Sequence, residues 1–279
     1  MNNQIKIIDF HSKDAAVEFT KSLHETGFAI IQNHPLEYEL IDTVYDEWKF
    51  FFNNDTKFNY KFNTRTQDGY FPFESENAKG YKEKDLKEFF QYYEWGIYPQ
   101  NMSKKTVLLY HQLMAIGREL LIWIDTNSPE HIKQYFSMPL YNMILKSTMN
   151  LLRIIHYPPI DRNDGGAIRA AEHADINLIT ILASGSQPGL QVLNNGHWID
   201  IECNPGWLVI NIGDMLKECS NGYYPSTIHR VVNPIDNSKN ISRFSIPLFI
   251  HPKNDVELSK RYSAKSFLEE RLLEIGLKN

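Results

Sequence analysis

Asn177-Leu178-Ile179-Thr180-Ile181-Leu182-Ala183-Ser184-Gly185-Ser186-Gln187-Pro188-Gly189-Leu190-Gln191-Val192-Leu193 carries the clearest fold signal in the chain. Two short apolar runs, Leu178 to Leu182 and Leu190 to Leu193, flank a polar break containing Gly and Pro, which is the pattern of strand, turn and strand. The same text extends in both directions. Leu151 to Ile155, Trp207 to Ile212 and Phe244 to Ile250 are further short apolar runs separated by Pro, Gly and Asn. From about Met149 the chain therefore predicts a β-sandwich or barrel.

Upstream the periodicity changes. Ile5 to Phe10 is a short β-type run. After it Ser12 stands as the N-cap of a helix carrying Ala15, Ala16, Phe19 and Leu23 and ending at Gly27. Phe28 to Ile31 predicts a buried strand. Tyr38 to Phe52 and Lys104 to Ile124 predict helices, the first with Leu40, Ile41, Val44, Trp48 and Phe51 and the second with Leu108, Leu109, Leu113, Ile116 and Leu120. Asn63 to Gln100 reads as polar, aromatic and irregular. The tail from Asp255 to Leu277 predicts a helix carrying Val256, Leu258, Phe267, Leu268, Leu272 and Ile275. The outline is a helical front over residues 1–125, an all-β body over 126–252 and a closing helix over 253–279, forming one structural unit.

Composition narrows the function. With 279 residues, 42% hydrophobic and 23% charged, the chain can bury a sizeable core and is neither disordered nor fibrous. Its apolar runs read as too short and too interrupted to cross a bilayer, so no membrane role is expected. A net charge of −5, with Lys and Arg scattered, provides no basic face for a phosphate backbone, and no nucleic-acid partner is expected. The polar opening Met1-Asn2-Asn3-Gln4 carries no secretory pattern, which points to a reduced, cytoplasmic protein. Cys203 and Cys219 are the only cysteines and lack basic neighbours, so they are read as inert, and any metal must fall to the His residues and carboxylates.

Two constellations could carry chemistry. His173-Ala174-Asp175 is followed by His229. On a strand, positions i and i+2 share a face, so His173 and Asp175 can offer an imidazole and a carboxylate to one point, and His229 closes a triangle. Two His and one carboxylate leave three positions of a metal open, the arrangement of non-haem Fe(II) oxygenases. Arg243-Phe244-Ser245 has the same spacing on a β-type run, so a guanidinium and a hydroxyl can clamp a carboxylate. Arg261-Tyr262-Ser263 repeats the tripeptide inside the predicted tail helix, where i and i+2 do not share a face, and is rejected. Among the remaining candidates, His156, His34, His197 and His251 read as packing, structural or solvated residues. Asn177, Gln191 and Asn211 occupy strand positions that could face a cavity, and Tyr70, Phe71, Phe73 and Phe90 read as core aromatics or as walls of a site.

The order His-x-Asp, His, Arg-x-Ser resembles the isopenicillin N synthase-like branch of the Fe(II)/2-oxoglutarate-dependent oxygenases. Asn177 to Leu182, Gly189 to Val192, Asn211 to Met215, Ser220 to Gly222 and Ser226 to Val231 match that family. So do Ile7 to Phe10, Gly27-Phe28, Asn33-His34 and Phe51-Phe52 upstream, and the likeness covers residues from about 5 to 252. It implies a mainly β fold, a double-stranded β-helix or jelly roll with a helical N-terminal region and a C-terminal helix (α+β overall). By the same resemblance His173, Asp175 and His229 would bind Fe(II), Arg243 and Ser245 would hold the distal carboxylate of 2-oxoglutarate, and Tyr157 would contact that cosubstrate. The family's Asn-Tyr-Tyr-Pro motif reads Ile155-His156-Tyr157-Pro158 here, and Ala174 stands where Thr is frequent.

The implied activity is that of a dioxygenase using O2 and releasing succinate and CO2. It would hydroxylate, desaturate or cyclise a small-molecule metabolite, and the enzyme would be a monomer or weak homo-oligomer. Three other readings stay open: an iron oxidase of the same branch that does not use 2-oxoglutarate, a jelly-roll module that only binds metal or small molecules, and hydrolysis at zinc.

Overall fold

The structure is a computed structural model, and it describes residues 5–76, 83–160, 168–236 and 240–274. In chain order β1 (Ile7–Asp9) and α1 (Ala15–Thr26) lead to β2 (Phe28–Gln32) and α2 (Tyr38–Phe52). A 3-10 turn at Asp55–Tyr60 precedes β3 (Gly69–Phe71), β4 (Glu88–Tyr92), α3 (Lys105–Asn127), α4 (Glu130–Lys133) and α5 (Leu140–Met143). Then come β5 (Leu151–Tyr157), β6 (Ala170–His173), β7 (Ile179–Ala183), β8 (Leu190–Asn194), β9 (His197–Asp200) and β10 (Leu208–Ile212). The chain closes with α6 (Asp214–Cys219), β11 (His229–Val231), β12 (Arg243–Ile250) and α7 (Ala264–Glu274).

The strands form an eight-stranded sheet, β1-β2-β10-β7-β12-β5-β4-β3, and a four-stranded sheet, β6-β11-β8-β9. The strands at the centre of the larger sheet are covered on both faces, and their text is accordingly apolar almost throughout, as in Leu208–Ile212. One face carries the main core, where α1, α2 and α3 pack Phe19, Leu23, Val44, Trp48, Leu113 and Leu120 on the sheet. Two smaller clusters bridge the sheets. At one end Phe28, Ile30 and Val209 of the large sheet meet Leu190 and Val192 of the small one. At the other Phe71, Phe89, Ile155 and Tyr157 meet Ala170 and Val231. Helices cover one face of a double-sheeted β body, which is the jelly-roll arrangement with helical support.

Several elements differ from their sequence reading. Asn63 to Gln100 contains β3 and β4, which extend the large sheet past β5 through the pairs Phe89 with Ile155 and Phe71 with Phe89. These strands have little alternation of their own because both are buried throughout. Helix α1 starts at Ala15 rather than after Ser12, and the Ser12 hydroxyl accepts only from Asp14 N–H at 3.4 Å. Among the described residues the tail is helical only in α7. Val256 and Leu258 are buried in extended chain, and a turn closes with Leu258 N–H donating to the Tyr262 carbonyl at 2.9 Å. Arg261-Tyr262-Ser263 thus precedes the helix, and its rejection rests instead on exposure, the Arg261 side chain being 74% accessible. Ile275 and Leu277 lie outside the described residues.

Helix α3 corrects a further expectation, since by length and composition it is apolar enough to cross a membrane. Here it is a core helix. It buries Leu109, Leu113, Ile116, Leu120 and Ile124 and touches α1, α2 and α5.

Gly27 joins the helical layer to the β body. It ends α1 at φ 73°, its N–H donates to the Leu23 carbonyl at 2.9 Å, and its own carbonyl accepts from Ile212 N–H at 2.9 Å. A Cβ there would lie 2.6 Å from the Pro225 carbonyl oxygen and 2.2 Å from Thr227 Oγ1. Gly27→Ala is expected to cost about 1–3 kcal/mol through left-handed strain and overpacking. Urea unfolding checks this, and an unchanged midpoint would show that the Pro225 to Thr227 loop yields freely.

Candidate active site

The small sheet brings the first constellation together. His173 ends β6 and His229 begins β11, and the two residues are paired across the ladder. Asp175 follows β6 and is held by its carbonyl, which accepts from Asp214 N–H at 2.7 Å. One donor atom from each of His173, Asp175 and His229 lies within 4.8 Å of the others. The two Nε2 atoms stand 3.8 and 3.7 Å from Asp175 Oδ1.

The atoms facing away from this point are already satisfied. His173 Nδ1 lies 2.8 Å from the Ala171 carbonyl and His229 Nδ1 3.2 Å from the Thr227 carbonyl. Carbonyls only accept, so both Nδ1 atoms carry the proton and both Nε2 atoms keep a free lone pair. Asp175 Oδ2 accepts from Thr180 Oγ1 at 2.5 Å and from Asn211 Nδ2 at 2.8 Å, which leaves Oδ1 free. Phe28 meets the His229 ring edge-on at 5.6 Å. The Asp175 and His229 side chains are 5% and 11% exposed, against 38% for His173, so the centre opens on the His173 side.

Electrostatics favour the ligating forms. Burial, with the His229 charge second, lowers His173 to about 4, so it is neutral at neutral pH. Burial alone would raise Asp175, but the two imidazoles and the bonds from Asn211 and Thr180 outweigh it and hold the carboxyl below its usual range. A neutral imidazole and an ionised carboxylate are the forms a divalent metal takes up. The donor set therefore fits Fe(II).

Thr180 and Asn211 aim the carboxylate and were not legible as its partners in sequence, although Asn211 was a cavity candidate. Thr180→Val is expected to weaken Fe(II) binding by about 10- to 100-fold, the usual effect of losing such a support. Competition with a chelator reads this, and parent-like affinity would show that Asn211 suffices.

The second constellation lies on β12. Arg243 pairs with Tyr157 and Ser245 with Ile155 across the β5 ladder, and Arg243, Ser245 and Tyr157 are all buried. The Arg243 guanidinium stands 5.1 Å from the Tyr157 ring centre and donates from Nε to the Gln187 carbonyl at 2.9 Å. A Cβ on Gly185 would come within 2.8 Å of Arg243 Nη2, so the glycine leaves room for the guanidinium. Arg243 Nη1 is buried without a partner. Such a donor is costly to leave unmade, and a carboxylate would complete it.

His156, at the position that departs from the family motif, is a structural residue. Its Nδ1 lies 2.7 Å from Glu88 Oε1 and its ring stacks on Phe244 at 4.6 Å. A second charged group, absent from the sequence reading, supports β6. Asp85 accepts from Ala171 N–H at 3.0 Å and from Lys87 Nζ at 2.7 Å, and Lys87 and Arg153 both reach Glu76. Burial would raise Glu76, but Lys87 and Arg153 outweigh it and hold the carboxyl at about 2.

The other candidates fall away from the chemistry. Burial lowers His251 to about 4, and its Nδ1 lies 3.3 Å from the Phe249 carbonyl. His197 is exposed and His34 buried, Asn177 bonds Thr180, and Gln191 bonds Asp200 and Arg230. Tyr70 and Phe90 belong to the main core and Phe73 is exposed. Phe71 alone of the four aromatics reaches the cluster around Tyr157, stacked between Phe62 and Phe89 at 4.1 and 4.4 Å.

A jelly roll carrying two imidazoles and a carboxylate on one point, with a buried unpartnered guanidinium alongside, defines a non-haem iron oxygenase scaffold. The chain belongs to the 2OG-Fe(II) oxygenase superfamily: the model of that superfamily matches residues 148–252, and that of the non-haem dioxygenase N-terminal region, named for morphine synthesis, matches residues 5–112. It is similar to a solved protein of Shewanella oneidensis described as an oxygenase, with 46% identity, TM-score 0.89 and coverage of 99% of this chain and 100% of that one. A Caulobacter crescentus protein described as of the 2OG-Fe(II) oxygenase family shares 32% identity at TM-score 0.78, over 97% of this chain and 99% of that one. Petunia hybrida flavonol synthase/flavanone 3-hydroxylase is 39% identical over 39% of this chain, a stretch spanning only 30% of that relative's length.

Proposed function

We propose that this chain is an Fe(II)- and 2-oxoglutarate-dependent dioxygenase that oxidises a small-molecule metabolite by hydroxylation, desaturation or cyclisation, with release of succinate and CO2. The observation that carries the reading is the convergence of three free donor atoms, His173 Nε2, Asp175 Oδ1 and His229 Nε2, whose outward-facing atoms are all otherwise bonded. His173, Asp175 and His229 would hold the iron. Arg243 and Ser245 would hold the distal carboxylate of 2-oxoglutarate, and Tyr157 would line its pocket.

When bound, the iron supplies O2 activation coupled to decarboxylation of the keto acid. The protein's part is positioning. Carbonyls at Ala171 and Thr227 keep both imidazoles in the tautomer that ligates, and Thr180 with Asn211 keeps the carboxylate turned inward. Beside Tyr157 the Phe62, Phe71 and Phe89 rings stack as a buried apolar cluster that supports it from behind. The free thiols of Cys203 and Cys219 support a reducing, cytoplasmic setting.

Anaerobic titration of the apoprotein with Fe(II) and then 2-oxoglutarate tests the reading. A weak visible charge-transfer band of the chelated keto acid is the expected result. Iron binding without a band would favour an oxidase that does not use 2-oxoglutarate. Activity retained without oxygen would overturn the oxygenase reading in favour of hydrolysis.

A further inference from the structure

We propose that Arg169 is a second cation of the keto-acid pocket, joining Arg243 in reading the distal carboxylate of 2-oxoglutarate and so selecting dicarboxylic 2-oxo acids. This rests on the function proposed above.

Arg169 immediately precedes β6 and is 2% exposed. Its backbone N–H donates to Asn233 Oδ1 at 2.9 Å, and its Nη2 donates to the carbonyl of Ile241 at 2.7 Å, two residues upstream of Arg243. The side chain thereby ties the start of the small sheet's β6 to the chain entering β12 of the large one. Its Nε is buried without a partner, as Arg243 Nη1 is. Among the described residues neither guanidinium is paired with a carboxylate.

The two charges feel each other. Burial first, and the Arg243 charge second, lower Arg169 to about 10, while the Tyr157 hydroxyl acts in the opposite sense. Each arginine is buried and each keeps a donor without a partner, Arg169 at Nε and Arg243 at Nη1. Unpaired buried charge is strongly unfavourable, and a single anion with two acceptor oxygens relieves both at once. A carboxylate has that shape. The substrate is the weaker candidate for supplying it, because Arg169 is buried and the metal centre opens on the more exposed His173 side.

The test uses the full chain under anaerobic conditions. Fe(II) affinity is measured by chelator competition, and 2-oxoglutarate affinity by the visible band, for the parent, Arg169→Met and Arg169→Lys. Arg169→Met is expected to bind 2-oxoglutarate about 10- to 100-fold more weakly, the loss of a hydrogen bond to a charged group, with Fe(II) affinity unchanged and Arg169→Lys intermediate. Parent-like affinity in Arg169→Met overturns the proposal and leaves the functional reading standing. Equal weakening of iron and keto acid also overturns it, since that marks a merely structural residue. If Arg169→Met does not fold, Arg169→Lys decides by the same comparison. A parent that binds iron and shows no band removes both this proposal and the use of 2-oxoglutarate.

Discussion

His229→Ala is expected to remove retained Fe(II) and to bring turnover below detection. His229 supplies one of three donor atoms, its Nε2 lies 3.7 Å from Asp175 Oδ1, and among the described residues no fourth His, Cys, Asp or Glu joins the cluster. His173 cannot serve twice, because its Nδ1 faces the Ala171 carbonyl. The substitution also takes away the ring against which Phe28 packs, a contact of the apolar cluster at that end of the sheets. Metal analysis after desalting, beside 2-oxoglutarate consumption, reads the result. Appreciable activity in the variant would sink the assignment of His229 as a ligand.

Arg243→Ala should weaken 2-oxoglutarate binding by about 2–5 kcal/mol, or about 30- to several thousand-fold, the range found when one partner of a buried charge pair is truncated. The guanidinium is buried over Tyr157, is fixed through Nε by the Gln187 carbonyl, and holds Nη1 without a partner. Truncation leaves a cavity beside Gly185 and Tyr157 and takes the guanidinium away from the carboxylate that Ser245 would also hold. Iron affinity should stay near the parent's, because Arg243 contacts no proposed ligand. A variant that bound the keto acid as tightly as the parent would transfer Arg243 to the substrate and revive the oxidase that needs no keto acid.

Most of the site was legible because its members come in local pairs. His173 with Asp175 and Arg243 with Ser245 sit two positions apart, and the short apolar runs around them show that the backbone is extended. Their order along the chain then pointed to a family whose fold brings them together. The helices α1, α2 and α3 were legible for the matching reason, since an apolar stripe at helical spacing is written in consecutive turns. The boundaries were less so. The tail reads as one helix from Asp255 to Leu277, but Val256 and Leu258 are buried as extended chain because the Ser259 to Tyr262 turn folds them onto the core.

The remaining features depend on which distant segments become neighbours. Strands β3 and β4 are short and buried on both faces, so they lack alternation, and only the pairing of β4 with β5 and of β3 with β4 makes them strands. His156 reads as an oddity in a tyrosine's place until Glu88, 68 residues away, is seen against its Nδ1. Thr180 is an ordinary strand threonine until it meets the Asp175 carboxylate, and Arg169 is one scattered cation among 29 Lys and Arg until its guanidinium is seen on the Ile241 carbonyl at the entry to β12. The helices α1, α2 and α3, most of the strands from β5 onward, and the identity and order of the metal and carboxylate candidates can be read along the chain, because periodicity and i, i+2 spacing are local properties. Which atoms of those residues stay free, which groups aim them and where a second buried arginine lies are set by sheet register and by hydrogen bonds between segments far apart in sequence.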